Sequence, residues 1–178
     1  MFIVELVAGL TSGSTALLSD SLDNLGDALT YGLSLFVITR SLRAKAYVAL
    51  FKGLLITIAA LFVFGQVINK ILHPIVPTFE TMGIISILAL IANGVCLFLL
   101  WKHRSDDVNM SSVWECSRND IASNVSVFIA AGAVWMLNAG WPDLFVGLGL
   151  ACLFLRSAYR VLSSSIEELK RTKTESTQ

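Results

Sequence analysis

The segment Asp20-Ser21-Leu22-Asp23-Asn24-Leu25-Gly26-Asp27 places three carboxylates within eight residues of a chain that is otherwise strongly apolar. Asp23 and Asp27 are four residues apart, so on a helix their side chains lie one above the other on the same face. Cys116 and Asp120 repeat that spacing further along the chain. Two residues from each of two neighbouring helices can close a tetrahedral shell around zinc or a similar ion, at ligand distances of roughly 2.0–2.3 Å. The shell would offer three carboxylates and one thiolate.

The elements that must position these residues are membrane helices. Of 178 residues, 55% are hydrophobic and 15% charged, and the mean hydropathy of +0.73 lies far above that of a soluble domain. Thirteen basic residues balance thirteen acidic ones, so no net positive field points to nucleic acid. Cys96, Cys116 and Cys152 show no C-x-x-C spacing, which argues against a disulfide framework or a zinc ribbon. His73 and His103 fall between apolar runs and read as loop residues.

Apolar runs long enough to cross a bilayer, about 20 helical residues, lie near 46–70, 82–101, 113–137 and 143–162. A further helix runs from about Ser14 to Thr39 around the acidic segment, and Met1 to Thr11 supplies a shorter first one. The expected fold is therefore an all-α membrane protein, a six-helix transmembrane bundle whose first helix is shortened at its N-terminus. The transmembrane domain is read as residues 1–166, and the polar segment 167–178 as a disordered cytoplasmic tail. The start "MFIVELVAGL" has no basic n-region and no A-x-A site, which argues against a signal peptide.

Basic residues cluster between helices two and three (Arg40, Arg43, Lys45), between helices four and five (Lys102, Arg104) and at the last helix and beyond it (Arg156, Arg160, Lys170, Arg171, Lys173). The opposite side carries Lys70 alone. The positive-inside rule then places both termini in the cytoplasm, in a bacterial inner membrane on this reading. Pro74 and Pro77 mark the outer turn between helices three and four, and Asn138 to Pro142 the next one. Ser112 and Glu115 have the spacing of a capping box opening helix five.

These directions make the two ligand pairs comparable in depth. Asp27 is 13 residues from Arg40 and Cys116 is 12 from Arg104; Asp23 is 17 and Asp120 is 16 from the same references. If helices two and five are neighbours, the pairs sit at matching heights. Each ionised carboxylate near the bilayer centre costs roughly 2.5–3.5 kcal/mol, so three of them require compensation by a divalent ion, by protons or by water. The empty site is expected to hold protons, because like charges out of water oppose one another, and metal must then displace those protons. That linkage is the physical basis of metal/proton exchange. Asp20, one turn from Asp23, reads either as lining the approach to the site or as holding a neighbouring helix. Asn124, one turn beyond Asp120, reads either as bonding a ligand carboxylate or as polar packing between helices.

At these residues the chain resembles the cation diffusion facilitator family of divalent metal-ion/proton antiporters. "ELVAGLTSGSTALLSDSLDNLGDAL" resembles the family's end of helix one through helix two, with Asp23 and Asp27 on its metal pair. "CSRNDIASN" resembles the helix-five metal segment, with Asp120 on the aspartate and Cys116 where histidine is usual, and "WPDLFVGLGL" resembles the start of helix six. The resemblance implies a secondary transporter that exports zinc, or cadmium or cobalt, from the cytoplasm against protons; the thiolate at Cys116 makes the site softer, which favours cadmium or zinc over manganese. It also implies a homodimer, here formed through the membrane helices, and no cofactor other than the transported ion. The sequence resembles a short branch lacking the family's C-terminal cytoplasmic domain.

Two other classes compete. A membrane aspartyl protease would carry its dyad in G-x-G-D and Tyr-Asp segments, whereas Asp27 follows Leu25-Gly26 and Asp120 follows Arg118-Asn119; the chain is therefore not read as an enzyme. The alternative function is a non-transporting metal-binding or partner subunit with the same fold. Interhelical ion pairing is a further use for the aspartates, but Arg118, two residues from both Cys116 and Asp120, points away from their face.

Overall fold

A computed structural model describes residues 1–37, 42–101 and 108–175, with the side chains of all of these except 30, 31, 34–37, 42, 43, 100, 108–118 and 172–175. The described chain forms six helices: α1 (Phe2–Ser12), α2 (Thr15–Val37), α3 (Leu42–Leu72), α4 (Phe79–Leu100), α5 (Val108–Leu137) and α6 (Trp141–Glu175). Among the described residues there is no strand. This is the expected all-α membrane bundle, and its short first helix covers 11 residues.

Local chemistry sets the ends. Gly13 stops α1 by adopting the left-handed region (φ 68°), which glycine enters without a Cβ clash, and the Ser14 N–H closes back on the Gly9 carbonyl at 2.9 Å. Ser14 then caps α2: its Oγ accepts from the Leu17 N–H at 3.1 Å, satisfying one of the helix's free amides. Pro74 and Pro77 fall in the connection between α3 and α4, where a missing N–H breaks no helical ladder. Asn138, at φ 46°, turns the chain between α5 and α6.

Among the described residues, four helical stretches meet the length and hydropathy of a membrane span: Ala44–Leu72, Phe79–Leu99, Asn119–Leu137 and Trp141–Arg171. Large apolar side chains accordingly face outward, among them Phe51, Leu54, Ile58 and Leu61 on α3 and Ile84, Leu88, Ile91 and Phe98 on α4. Such a surface is stable against lipid tails and not against water. The interior is partly polar. Ser14, Thr15, Ser19, Asp20 and Ser21 of α2 are all buried, because α2 packs against α1, α3, α5 and α6. Small residues let these helices approach closely: a Cβ at Gly147 of α6 would lie 2.7 Å from the Thr15 backbone carbon, and the Ser19 hydroxyl donates to the Gly147 carbonyl at 2.7 Å.

The junctions α1–α2, α3–α4 and α5–α6 meet at one end of the bundle. There the Thr78 N–H donates to the Ser12 carbonyl at 3.1 Å, and the Lys70 ammonium donates to the Gly13 carbonyl and pairs with Asp143 Oδ2 at 3.0 Å. Asp143, in the first turn of α6 and with no exposed surface, also takes bonds from the Ser14 hydroxyl at 2.5 Å and the Thr15 and Ala16 N–H groups at 2.8 and 3.0 Å. One carboxylate thus sits at the N-termini of two helices, where the helix dipoles favour negative charge.

Two sequence expectations need correction. Helix α5 begins at Val108, so Ser112 and Glu115 lie in its second turn rather than forming a capping box. The segment after Ile166 is helical through Glu175, not disordered; it continues an existing helix, so no nucleation cost opposes it, and Glu167 and Arg171 have the i, i+4 spacing that supports a helix. Residues 176–178 lie outside the described residues.

Candidate metal centre

Helices α2 and α5 pack against each other, which is the condition on which the matching heights of the two ligand pairs rest. Asp23, Asp27, Asn119 and Asp120 line one cavity of about 190 Å³, together with Lys52 and Ile56 of α3 and Phe154, Ser157 and Val161 of α6. The three aspartates are half-buried. The carboxylates that act most strongly on Asp120 are, in decreasing order, Asp27, Asp23 and Asp20. A second cavity of about 470 Å³, bounded by Asp23, Ser123 and Ser126 among others, shares Asp23, Asn119, Phe154 and Ser157 with the first.

The structure therefore brings Asp23, Asp27 and Asp120 to one place. Among the described side chains, no three acidic, cysteine or histidine groups already stand close enough to hold an ion. The side chain of Cys116 lies outside the described residues; its backbone is on α5, one turn before Asp120.

Asp20 and Asn124 resolve the alternatives left open for them. Asp20 is buried and its Oδ1 accepts from the Ser123 hydroxyl, so it ties α2 to α5. Neither cavity is lined by it. Asn124 donates through Nδ2 to the Asp120 backbone carbonyl at 2.8 Å, within its own helix, and not to a ligand carboxylate. Two residues that sequence reasoning did not assign also belong to this region. Lys52 brings a positive charge to the cavity wall, signalled only by being a lysine inside an apolar run. Glu5 has no exposed surface and accepts from Asn24 Nδ2 at 2.6 Å; an acid inside the apolar α1 was its signal.

Residues 1–170 match the family model described as the cation efflux transmembrane domain. The chain belongs to the cation efflux family. Cation efflux relatives include the zinc transporter ZitB of Pectobacterium atrosepticum, 28% identical over 94% of this chain and 56% of its own length. The "cadmium, cobalt and zinc/H(+)-K(+) antiporter" of Bacillus subtilis is 25% identical over 94% of this chain and 58% of its own. The metal cation efflux system protein CzcD of Cupriavidus metallidurans is 23% identical over 94% of this chain and 57% of its own. The chain thus spans little more than half the length of these relatives. Membership agrees with the family resemblance read from the α2 and α5 segments, and with a multi-pass membrane protein. The family is one of transporters, not of enzymes.

Proposed function

We propose that the chain is a transport unit that moves divalent transition-metal ions, zinc first and cadmium or cobalt with it, out of the cytoplasm in exchange for protons. The observation that carries this reading is the convergence of Asp23 and Asp27 from α2 with Asp120 from α5 on one cavity. Cys116, on the α5 turn before Asp120, is the fourth ligand in this proposal. When metal binds, the carboxylates and the thiol give up protons; when protons return, the ligands release the ion. Exposing the cavity to the two faces in turn converts that competition into antiport. The end bearing Lys70 and Asp143 faces outward, both termini lie in a bacterial cytoplasm, and a second copy associates through the membrane helices.

Purified chain in proteoliposomes, with a pH dye and a metal dye inside, tests the reading across zinc, cadmium, cobalt and manganese. Metal uptake accompanied by opposite proton movement is the expected result. Metal binding without flux would assign the chain to a non-transporting metal-binding role instead. Cys116→His is expected to keep transport and to shift preference several-fold toward zinc over cadmium, because imidazole is a harder ligand than thiolate. If neither Cys116→His nor Cys116→Ala alters affinity or selectivity, Cys116 is not a ligand.

A further inference from the structure

Toward the Asp143 end from the metal cavity, α1, α2 and α5 enclose a second polar group. Glu5 has no exposed surface, Asp20 is 1% exposed and Asn124 has none. Glu5 Oε2 is taken by Asn24 and Asp20 Oδ1 by Ser123. Glu5 Oε1, Asp20 Oδ2 and Asn124 Oδ1 are buried with no partner in the protein. All three are acceptors. The other buried unpartnered polar atoms among the described residues are Ser12 Oγ, at the far end of α1, and Asn93 Nδ2 on α4.

Three buried acceptors without a donor, two of them on carboxylates that act directly on each other, cannot stand as they are, since each uncompensated group costs about 1–3 kcal/mol and more when charged. A donor must reach them. A metal or alkali ion needs room and several oxygens around it, yet neither described cavity is lined by Glu5, Asp20 or Asn124. A proton needs no cavity and converts one acceptor into a donor.

We propose that Glu5 and Asp20 hold one exchangeable proton between them, at a site separate from the metal ligands. The proton resides on a carboxyl oxygen of the pair and is donated to an unpartnered oxygen of the other acid. It leaves to water as H⁺, and the pair then carries one more negative charge. The charged groups bearing on the pair are Asp23 on α2, Asp120 on α5 and the N-terminal ammonium of Met1. From α3, Lys52 lines the metal cavity and Lys70 is engaged by Asp143 of α6. The titratable side chains of α4 are Glu80, in its first turn, and exposed Cys96; those of α6 at mid-length, Arg156, Tyr159 and Arg160, are exposed. The bound proton does not rest on the antiport reading above.

Infrared spectra of the full chain in lipid vesicles, recorded separately in the zinc-loaded and zinc-free states, read the proton directly through the carbonyl stretch of a protonated carboxyl. Zinc strips protons from its own ligands, so the expected result is one protonated-carboxyl band that survives zinc. That band is lost in Glu5→Gln and in Asp20→Asn alike and is kept in Asp27→Asn. Zinc affinity in Glu5→Gln and Asp20→Asn is expected to stay within threefold of the unaltered chain. No surviving band in the unaltered chain, or a band persisting in both variants, overturns the proposal. Should zinc leave every carboxyl band unaltered, the metal-site reading fails, while the loss of the band in the two variants still decides the proton site.

Discussion

Asp143→Ala is expected to destabilise the folded bundle by about 3–5 kcal/mol, the range for breaking a buried ion pair from one side. Its carboxylate accepts from Ser14, from the backbone of Thr15 and Ala16, and from Lys70, and it serves the start of α2 as well as that of α6. Alanine leaves the 6%-exposed Lys70 with a buried charge facing only the Gly13 carbonyl, and it removes the anion from two helix N-termini. The unfolding midpoint in detergent, followed by near-ultraviolet circular dichroism, reads the effect. Asp143→Asn should fall between the two, because an amide oxygen still accepts while its charge is gone. Adding Lys70→Met to Asp143→Asn should recover stability, since the orphaned ammonium goes with its partner. An Asp143→Ala midpoint equal to that of the unaltered chain would falsify the clasp.

That clasp also marks where sequence reasoning stopped. Hydropathy placed the long apolar helices within a few residues, 46–70 against α3 Leu42–Leu72 and 113–137 against α5 Val108–Leu137, because bilayer thickness imposes a long apolar run on each span. The i, i+4 pairs and the counts from flanking arginines placed Asp23, Asp27 and Asp120 together, because a helix converts sequence spacing into height and face. Neither rule carries information about contacts between distant segments. Lys70 and Asp143 are 73 positions apart, and their pairing depends on which helices adjoin. The link between Glu5 and Asp20 escaped for the same reason: Asp20 reads with Asp23 and Asp27, Glu5 carries no assigned role, and only the packing of α1 against α2 brings the two together. The 167–175 segment failed differently. Its composition suits disorder in an isolated chain, but it also suits a helix that a preceding span has already nucleated.

The three aspartates of the cavity face one lysine, and this imbalance fixes the direction in which substitutions should move metal binding. Asp120→Asn or Asp27→Asn keeps the volume but withdraws one anionic oxygen donor. Each is expected to weaken zinc binding by about a hundredfold, about 2.8 kcal/mol at 1.4 kcal/mol per tenfold, and to abolish metal-driven proton flux in proteoliposomes. Loss of flux alone would also follow from a damaged bundle, so the opposite substitution supplies the control. Lys52→Met removes a positive charge from the wall of the same cavity, and a divalent ion entering it then meets less repulsion. Zinc affinity measured by competition with a metal dye should rise by about tenfold in Lys52→Met. Unspecific damage weakens binding whichever residue is changed; a site governed by the charge on its walls weakens with the aspartates and tightens with the lysine. Equal losses in all three variants would remove the cavity from the transport path and leave its aspartates with the interhelical role that was their competing assignment.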